Sequence, residues 1–317
     1  MALALNEIQK AMQGRDFLCM SDYTREELKE MIALALHLKK EQKMGVSHPI
    51  LQGKTLAMIF RKSSTRTRVS FEVGMYQLGG YPLFLSSNDI QLGRGEPIAD
   101  TARVLSRMVD GIMIRTFAQA EVEELAQFAD VPVINGLTDL LHPCQVLADL
   151  MTIQEYKGKL AGLKLAYVGD GNNMAHSLLI GGAKMGMKVA VASPEGYLPQ
   201  AEIVAKAQAF AAESGGEILV TTDPVEAVTD ADVVYTDVWA SMGQEAEAEE
   251  RARIFQPYQV NEELVAKARA DYLFLHCLPA HRGEEVTAGV IDGPNSVVFD
   301  EAENRLHAQK ALLALLL

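Results

Sequence analysis

The sequence has few of the residues that mark disulfide-rich, zinc-binding or nucleic-acid-binding proteins. It contains only three cysteines in 317 residues, and none of them stands in a CxxC spacing. This excludes a disulfide framework and argues against a structural zinc site. Lysine and arginine number 29 against 42 acidic residues, giving a formal net charge of -13. The protein therefore lacks the excess of basic residues that nucleic-acid binding requires.

Long apolar runs are also missing. No stretch approaches the 18 consecutive apolar residues of a membrane span. The N-terminus lacks the basic lead and long apolar core of a signal peptide, and the C-terminal ALLALLL suits the buried side of a last helix. We therefore expect a protein of the reducing cytosol with no membrane contact. The acidic balance still permits a small anionic substrate, because a few local arginines outweigh the global charge.

Short apolar runs alternate with helical stretches along the chain. Helical periodicity occurs at 24–40, in a segment ending at Met108, and at 142–156. Strands are predicted at 56–60, 111–117, 131–135, 163–170, 188–194, 232–239, 273–279 and 297–300. This alternation predicts an α/β fold with mostly parallel sheets flanked by helices.

The length of 317 residues exceeds that of one ordinary core and predicts two domains. We place them at 1–150 and 151–317, and expect the C-terminal helix, about 304–317, to pack back on the first. In parallel sheets, ligands bind beyond the carboxyl ends of the strands. Residues just after each apolar run are therefore the candidates for chemistry.

The strongest local signal is the segment RKSSTRTR at 61–68, which follows a predicted strand and precedes a helix. Hydroxyls, backbone N–H groups at a helix start and guanidinium groups together form a phosphate site. The alternative is that Ser63 or Ser64 only caps the helix while the arginines are solvated. No GxxxxGK[ST] pattern is present, so a P-loop is not indicated.

Two further junctions in the first half offer hydrogen-bond donors. Arg115 closes the strand GIMIR, and His142-Pro143-Cys144-Gln145 follows the strand VPVIN and a turn. Taken alone, Arg115 would be interpreted as a surface charge, and His142 as a helix cap beside a proline in the first helical turn. Three junctions of this kind in one half favour a single polar pocket.

The second half offers three candidate junctions. Gly169-Asp170-Gly171-Asn172-Asn173 resembles the opening of a GxGxxG dinucleotide site, but Met174 replaces the third glycine. Asp237, after the strand DVVYT, suits a substrate ammonium or a plain turn.

The third junction is His276-Cys277-Leu278-Pro279, after the strand YLFL. Cys277 is either a small apolar residue or a nucleophile paired with His276 or His281. Adjacent strand residues face opposite ways, which argues against a Cys277–His276 dyad. Metal binding by His276 and His281 fits the spacing but has no supporting ligand cluster.

Four blocks, taken together, resemble the ornithine carbamoyltransferase family. They are STRTR at 64–68, HPCQ at 142–145, Asp237 with Ser241-Met242-Gly243, and HCLP at 276–279. The first block is shared with aspartate carbamoyltransferases, whereas the last two indicate ornithine. The resemblance implies a first domain that binds carbamoyl phosphate, a second that binds ornithine, and an active site in the cleft between them.

The resemblance also implies residue roles. Arg66, Arg115, His142, Asp237 and Cys277 would be catalytic. The implied carbamoyl phosphate residues are Ser64, Thr65, Arg66, Thr67, Gln91, Arg115, His142, Gln145, Cys277, Leu278 and Arg305. The implied ornithine residues are Asn173, Asp237, Ser241 and Met242. Gln91 would reach a neighbouring subunit of a homotrimer, or of a multiple of trimers, and neither a metal nor a cofactor would be needed.

Other functions stay open at this stage. Within the same chemistry, the amine would be putrescine or N-acetylornithine instead of ornithine. A nicotinamide-dependent oxidoreductase would use the segment GDGNN at 169–173, and a sensor would bind carbamoyl phosphate or an amino acid without catalysis. A sensor has no need to keep Cys277 together with Asp237. The sequence assigns the chain to neither the synthesis nor the breakdown of arginine.

Overall fold

The computed structural model describes residues 6–240 and 245–317. The chain forms two compact units, Met1–Met151 with Glu303–Leu317, and Thr152–Ala302. In these described residues, no helix combines the length and apolar character needed to cross a lipid bilayer.

Nine strands and thirteen α-helices are assigned in the described residues. The strands are β1 (Thr55–Phe60), β2 (Tyr81–Ser86), β3 (Gly111–Arg115), β4 (Val133–Leu137), β5 (Lys164–Val168), β6 (Lys188–Ala192), β7 (Glu217–Thr221), β8 (Val233–Thr236) and β9 (Leu273–His276). The helices are α1 (Glu7–Lys10), α2 (Arg25–Lys43), α3 (Thr65–Gln77), α4 (Ile98–Leu105), α5 (Gln119–Phe128), α6 (Pro143–Lys157), α7 (Asn173–Lys184), α8 (Ala201–Ser214), α9 (Pro224–Val228), α10 (Ala248–Phe255), α11 (Glu262–Val265), α12 (Ala288–Ile291) and α13 (Val298–Leu316).

Each unit contains one parallel sheet, as predicted. The first has the strand order β2-β1-β3-β4, and the second has the order β7-β6-β5-β8-β9. Every strand pair is parallel. The apolar β1 and β3 are buried along almost their whole length, which is typical of parallel strands covered on both faces.

The strand orders place one switch point in each sheet. In the first, the chain runs from β1 to β2 and then crosses to β3 on the other side of β1. In the second, it runs from β5 through β6 to β7 and then crosses to β8. Helices on opposite faces leave a crevice at such a point, beyond the carboxyl ends of the strands. The ends of β1 and β3, and of β5 and β8, are therefore the expected binding positions.

The predicted strand at 297–300 is wrong, because α13 begins at Val298. Before the helix, the chain pairs with β9 only briefly: Val297 N–H donates to the carbonyl of Phe274 at 3.0 Å. Asp300 and Glu301 then lie in the first helical turn. Acidic residues there interact favourably with the helix dipole, which outweighs the strand preference of the Val-Val-Phe run.

The two strands that we did not predict, β2 and β7, form sheet edges. Pro82 in β2 counts against a strand, but an edge strand tolerates a proline that cannot donate to the ladder.

The C-terminal part of α13 is built into the first unit. Lys39 Nζ donates to Asn304 Oδ1 at 2.8 Å, and Lys310 Nζ donates to Gln77 Oε1 at 2.9 Å. Lys310 is fully buried, and its burial lowers the pKa of its ammonium group to about 8. The first unit therefore depends on residues from both ends of the chain.

Candidate active site

The start of α3 forms an anion-binding position at the switch point of the first sheet. Ser64 caps the helix, and its side-chain oxygen accepts from Thr67 N–H at 3.1 Å. The cap is therefore real, but it does not exclude the phosphate site, because other N–H groups and the helix dipole remain available there. Of the arginines, Arg68 is exposed and lies 3.6 Å from the ring centroid of Phe84.

Three arginines act on a single histidine at this end of the sheet. His142 and Arg115 are both buried. The pKa of His142 lies well below its usual value because of burial and because of the charges of Arg305, Arg115 and Arg66. The imidazole is therefore neutral at pH 7 and offers one N–H donor within a strongly positive environment. Four residues predicted for carbamoyl phosphate thus meet here.

Arg305 joins three helices of the first unit. Its Nη1 donates to Gln145 Oε1 at 2.6 Å, and its Nη2 donates to Thr67 Oγ1 at 3.2 Å. The amide nitrogen of Gln145 donates in turn to Asp149 Oδ1 at 2.9 Å. The sequence analysis missed Asp149, although its position one helical turn after Gln145 was a usable signal. This chain of bonds fixes the orientation of the Gln145 amide.

Lys62 is a second residue that the sequence analysis did not assign. Its ammonium group is ion-paired with Asp139 and lies 4.5 Å from the ring centroid of Phe117. Gln91, by contrast, is exposed on the short 3-10 helix Gln91–Arg94 and takes part in none of these bonds.

A pocket of about 380 Å³ opens beside β1 and β2. It is lined by Phe60, Arg61, Ser63, Ser64, Thr65, Arg68, Val69, Phe84, Ser86, Ser87 and Asn88. It shares Ser64 and Thr65 with the anion position but does not include Arg115 or His142. The switch point between β1 and β3, where Arg115 and His142 lie, has the more favourable charges for binding the reacting group.

In the second unit, the carboxylate of Asp237 lies at the switch point and accepts three hydrogen bonds. Its Oδ1 accepts from Cys277 Sγ at 3.1 Å and from Val238 N–H at 2.8 Å. Its Oδ2 accepts from Asn172 Nδ2 at 2.9 Å. Asp237 is buried, and the three donors fix the direction in which its carboxylate faces.

Asn172, which the sequence analysis did not assign, contacts Asp237. Asn172 caps α7, accepting from Met174 N–H at 2.9 Å, while Asn173 is the first helical residue and is partly exposed. An asparagine just before a helical stretch is a typical cap, so the Gly-Asn-Asn sequence offered a usable signal for Asn172. Ser241 and Met242 lie outside the described residues.

His276 and Cys277 face different partners and do not form a dyad. His276 Nε2 lies 3.1 Å from Glu285 Oε1, whereas the thiol of Cys277 donates to Asp237. Ligand atoms of Asp237, His276 and Cys277 lie within 4.8 Å of one another, a spacing that suits a metal ion. However, the Nδ1 atom of His276 already accepts from Leu278 N–H at 2.9 Å. With both ring nitrogens bonded, this imidazole has no lone pair for a metal.

The GDGNN loop at 169–173 does not have the open space of a dinucleotide site. Gly171 N–H donates to the carbonyl of Tyr197 at 2.8 Å. A Cβ atom on Gly171 would lie 2.3 Å from the backbone nitrogen of Pro199. In dinucleotide-binding proteins the second glycine lets the pyrophosphate approach the backbone. Here the chain at 197–199 occupies that space, which argues against the oxidoreductase alternative.

A buried ion pair supports the loops of the second switch point. Arg251 Nη1 donates to Asp170 Oδ2 at 2.7 Å and to the carbonyl of Trp239 at 2.9 Å. Both side chains of the pair are buried. Burial raises the pKa of Asp170 in spite of the nearby guanidinium group.

We expect Arg251→Gln to destabilise the protein by about 3 kcal/mol or more, because Asp170 would be left buried without its cation. This corresponds to a fall in Tm of roughly 6–12 °C for a unit of this size. Arg253→Gln is the matched control, since Arg253 is exposed on the same helix. Thermal melts of both variants and the wild type test this expectation, and equal Tm values for the two variants would contradict it.

The two sheets and their switch points define a two-domain α/β enzyme. Residues 15–155 match the carbamoyl-P binding domain of aspartate/ornithine carbamoyltransferases, and residues 161–316 match the Asp/Orn binding domain. The chain belongs to the aspartate/ornithine carbamoyltransferase family.

Individual relatives cover almost the whole chain. The ornithine carbamoyltransferase of Carboxydothermus hydrogenoformans is 70% identical over 305 residues, covering 96% of this chain and 98% of the relative. The solved ornithine carbamoyltransferase of Pyrococcus furiosus is 63% identical with a TM-score of 0.94, covering 96% of this chain and 97% of that one. The enzyme of Gloeobacter violaceus is 52% identical with a TM-score of 0.86, covering 96% and 99%.

Proposed function

We propose that the protein transfers the carbamoyl group of carbamoyl phosphate to the side-chain amine of L-ornithine, giving L-citrulline and phosphate. One structural observation supports the proposal independently of family membership. The switch point of the first sheet holds a neutral histidine among three arginines, and that of the second holds a carboxylate bonded to a thiol and an amide. The first suits a phosphorylated carbonyl compound, and the second suits the ammonium group of an amino acid.

The first unit supplies the groups that act on carbamoyl phosphate. Ser64, Thr65, Arg66 and Thr67 at the start of α3 bind the phosphate, while Arg115, His142 and Gln145 orient the carbamoyl group. When the amine attacks the carbamoyl carbon, negative charge grows on the carbonyl oxygen and then on the departing phosphate. Neutral His142 donates a hydrogen bond to that oxygen, and the arginines stabilise the developing charge. Arg305 holds Gln145 and Thr67 in place for this task.

The second unit supplies the groups that receive ornithine. Asp237 binds the α-ammonium group, and Asn173, Ser241 and Met242 contribute to the amino-acid end. Cys277 and Leu278 complete the site. Holding the two substrates in reacting orientation supplies a large part of the rate enhancement.

The decisive test is citrulline formation from ornithine and carbamoyl phosphate, with kcat/KM measured for ornithine, putrescine and N-acetylornithine. Putrescine lacks the α-carboxylate, and N-acetylornithine lacks the charged α-amine. A site that hydrogen-bonds such groups rejects analogues without them by roughly 10⁴-fold. Use of either analogue as readily as ornithine would contradict the role of Asp237, and absence of citrulline would contradict the function.

We also propose a homotrimer, or a multiple of trimers, in the reducing cytoplasm. Cys19, Cys144 and Cys277 form no disulfide bond in the described residues. Apolar side chains on α3 and on edge strand β2 are exposed: Val69 by 50%, Tyr76 by 76% and Tyr81 by 61%. An edge strand beside exposed aromatic residues suits contact with a second copy of the chain. The resemblance implies that Gln91 reaches a neighbouring subunit, and we propose that it contributes to the neighbour's site.

Mixing inactive variants tests the shared site. We expect Gln91→Ala and Arg66→Ala to be poorly active alone, and to regain activity when their subunits are exchanged, because mixed trimers contain some sites with neither change. Exchange is verified by mass measurement of differently tagged subunits, and mixed wild type with Arg66→Ala is the control. Full exchange without recovery would show that each site is made by one chain.

A further inference from the structure

His276 is completely enclosed at the end of β9, and its imidazole ring has two assigned partners. Nδ1 accepts from Leu278 N–H at 2.9 Å, and Nε2 lies 3.1 Å from Glu285 Oε1. Because Nδ1 is an acceptor, the ring proton is on Nε2 and is donated to Glu285. The hydrogen bonds thus determine the tautomer.

The residue that His276 holds has an unusual backbone. Leu278 has a φ of 56°, in the left-handed region that a leucine side chain disfavours. The following residue is Pro279, which has no N–H to donate. The bond from Leu278 N–H to the imidazole is a backbone-donor contact within this turn, and Cys277 stands between its two ends.

Two buried carboxylates keep the imidazole in place. Glu285 is fully buried and accepts from the backbone N–H of His281 at 2.6 Å as well as bonding His276. Glu301, also fully buried, accepts from the backbone N–H of His276 at 2.8 Å and from Tyr235 Oη at 3.0 Å. Such enclosure leaves the ring little rotational freedom. These hydrogen bonds fix the orientation of the His276 ring more firmly than packing alone would.

We infer that His276 is a positioning residue, which holds Leu278 in its left-handed conformation and thereby aims the Cys277 thiol at Asp237. The inference rests on the proposed function for its catalytic consequence, since Asp237 binds the α-ammonium group and Cys277 and Leu278 complete the site. It assigns His276 no contact with substrate. Loss of the Nδ1 acceptor frees the turn, and the thiol no longer meets the carboxylate in a fixed direction.

Two substitutions separate the two ends of the imidazole. In His276→Asn, the amide oxygen occupies the place of Nδ1 and accepts the N–H two residues ahead, as asparagine does in turns. In His276→Gln, the amide nitrogen reaches Glu285, but no acceptor remains for Leu278. We expect kcat/KM for ornithine to fall about tenfold in the glutamine variant, the effect of losing one such bond, and less than threefold in the asparagine variant.

Alkylation of Cys277 by iodoacetamide, followed by peptide mass spectrometry, gives a readout independent of activity. The rate should rise in His276→Gln and stay near the wild-type rate in His276→Asn. His281→Gln is the control, because His281 is exposed in the same loop and should leave both readouts unchanged. If His276→Gln does not fold, His276→Ala replaces it in the comparison with His276→Asn, because alanine also leaves Leu278 N–H without an acceptor.

The outcomes distinguish the inference from the proposed function. Equal effects of the asparagine and glutamine variants on ornithine kinetics and alkylation, whether both large or both absent, would overturn the positioning role. A wild-type protein that forms no citrulline would overturn the proposed function instead, and the alkylation comparison would still decide the role of His276.

Discussion

Asp237→Asn is expected to lower kcat/KM for ornithine by roughly 30- to 5,000-fold, because removing one partner of a buried charge pair costs about 2–5 kcal/mol. The substitution removes the charge that faces the α-ammonium group. It also places an NH₂ group next to three hydrogen-bond donors, from Cys277, Val238 and Asn172. In one of these contacts two donors would then face each other, and that hydrogen bond would be lost. KM for carbamoyl phosphate should hardly change.

The matched control for this prediction is Asp232→Asn, at the opposite end of the same strand. Asp232 accepts from the backbone N–H of Lys164 at 2.8 Å, and an asparagine oxygen also accepts that bond. Steady-state kinetics with each substrate varied in turn separate the two positions. If Asp237→Asn raised KM for both substrates equally, or left ornithine kinetics unchanged, Asp237 would not be the ammonium partner.

Arg66→Lys is expected to reduce kcat by about a hundredfold or more, by analogy with the loss of one donor to a developing oxyanion. Lysine keeps the charge but not the planar pair of donors that binds two phosphate oxygens at once. The effect should therefore appear in the conservative variant as well as in Arg66→Ala. Measurements of kcat and of carbamoyl phosphate affinity test whether geometry or charge dominates.

Arg103→Lys provides the control for the arginine substitution. Arg103 is exposed, forms an ion pair with Asp100 at 3.2 Å and lies 4.6 Å from the ring centroid of Phe128. It should retain wild-type kinetics. Near-normal turnover of Arg66→Lys would mean that a point charge is sufficient at this position, and the argument from bidentate binding would fail.

The sequence predicted the fold where burial decides the structure. Short, wholly apolar runs such as LAMIF and GIMI predicted β1 and β3, because strands covered on both faces consist almost wholly of apolar residues. The prediction failed where tertiary context overrides local preference. The Val-Val-Phe run starts a helix because acidic residues follow it in the first helical turn. Strand β2 was not predicted because its proline is acceptable only in a strand at a sheet edge.

The positions of the candidate site residues were predictable where they lie near the end of a strand. Arg115 ends β3, Asp237 follows β8, and His142 lies between β4 and α6, at the carboxyl ends where the parallel order of the sheets makes binding positions. Their supporting residues were not predictable, because nothing local marks a partner that arrives from a distant part of the chain. Glu285 and Glu301 reach His276 only through the tertiary fold, and Arg251 reaches Asp170 across 81 positions of sequence.

The discontinuity of the first unit has a consequence for its folding. Residues Thr152–Ala302 form an uninterrupted unit, whereas the first unit combines Met1–Met151 with Glu303–Leu317. The second of these segments carries Arg305 to Gln145 and Thr67, and Lys310 to Gln77, across sequence separations of 160, 238 and 233 residues. Contacts between such distant segments close long loops and slow folding, so the phosphate-binding groups of the first unit are secured late.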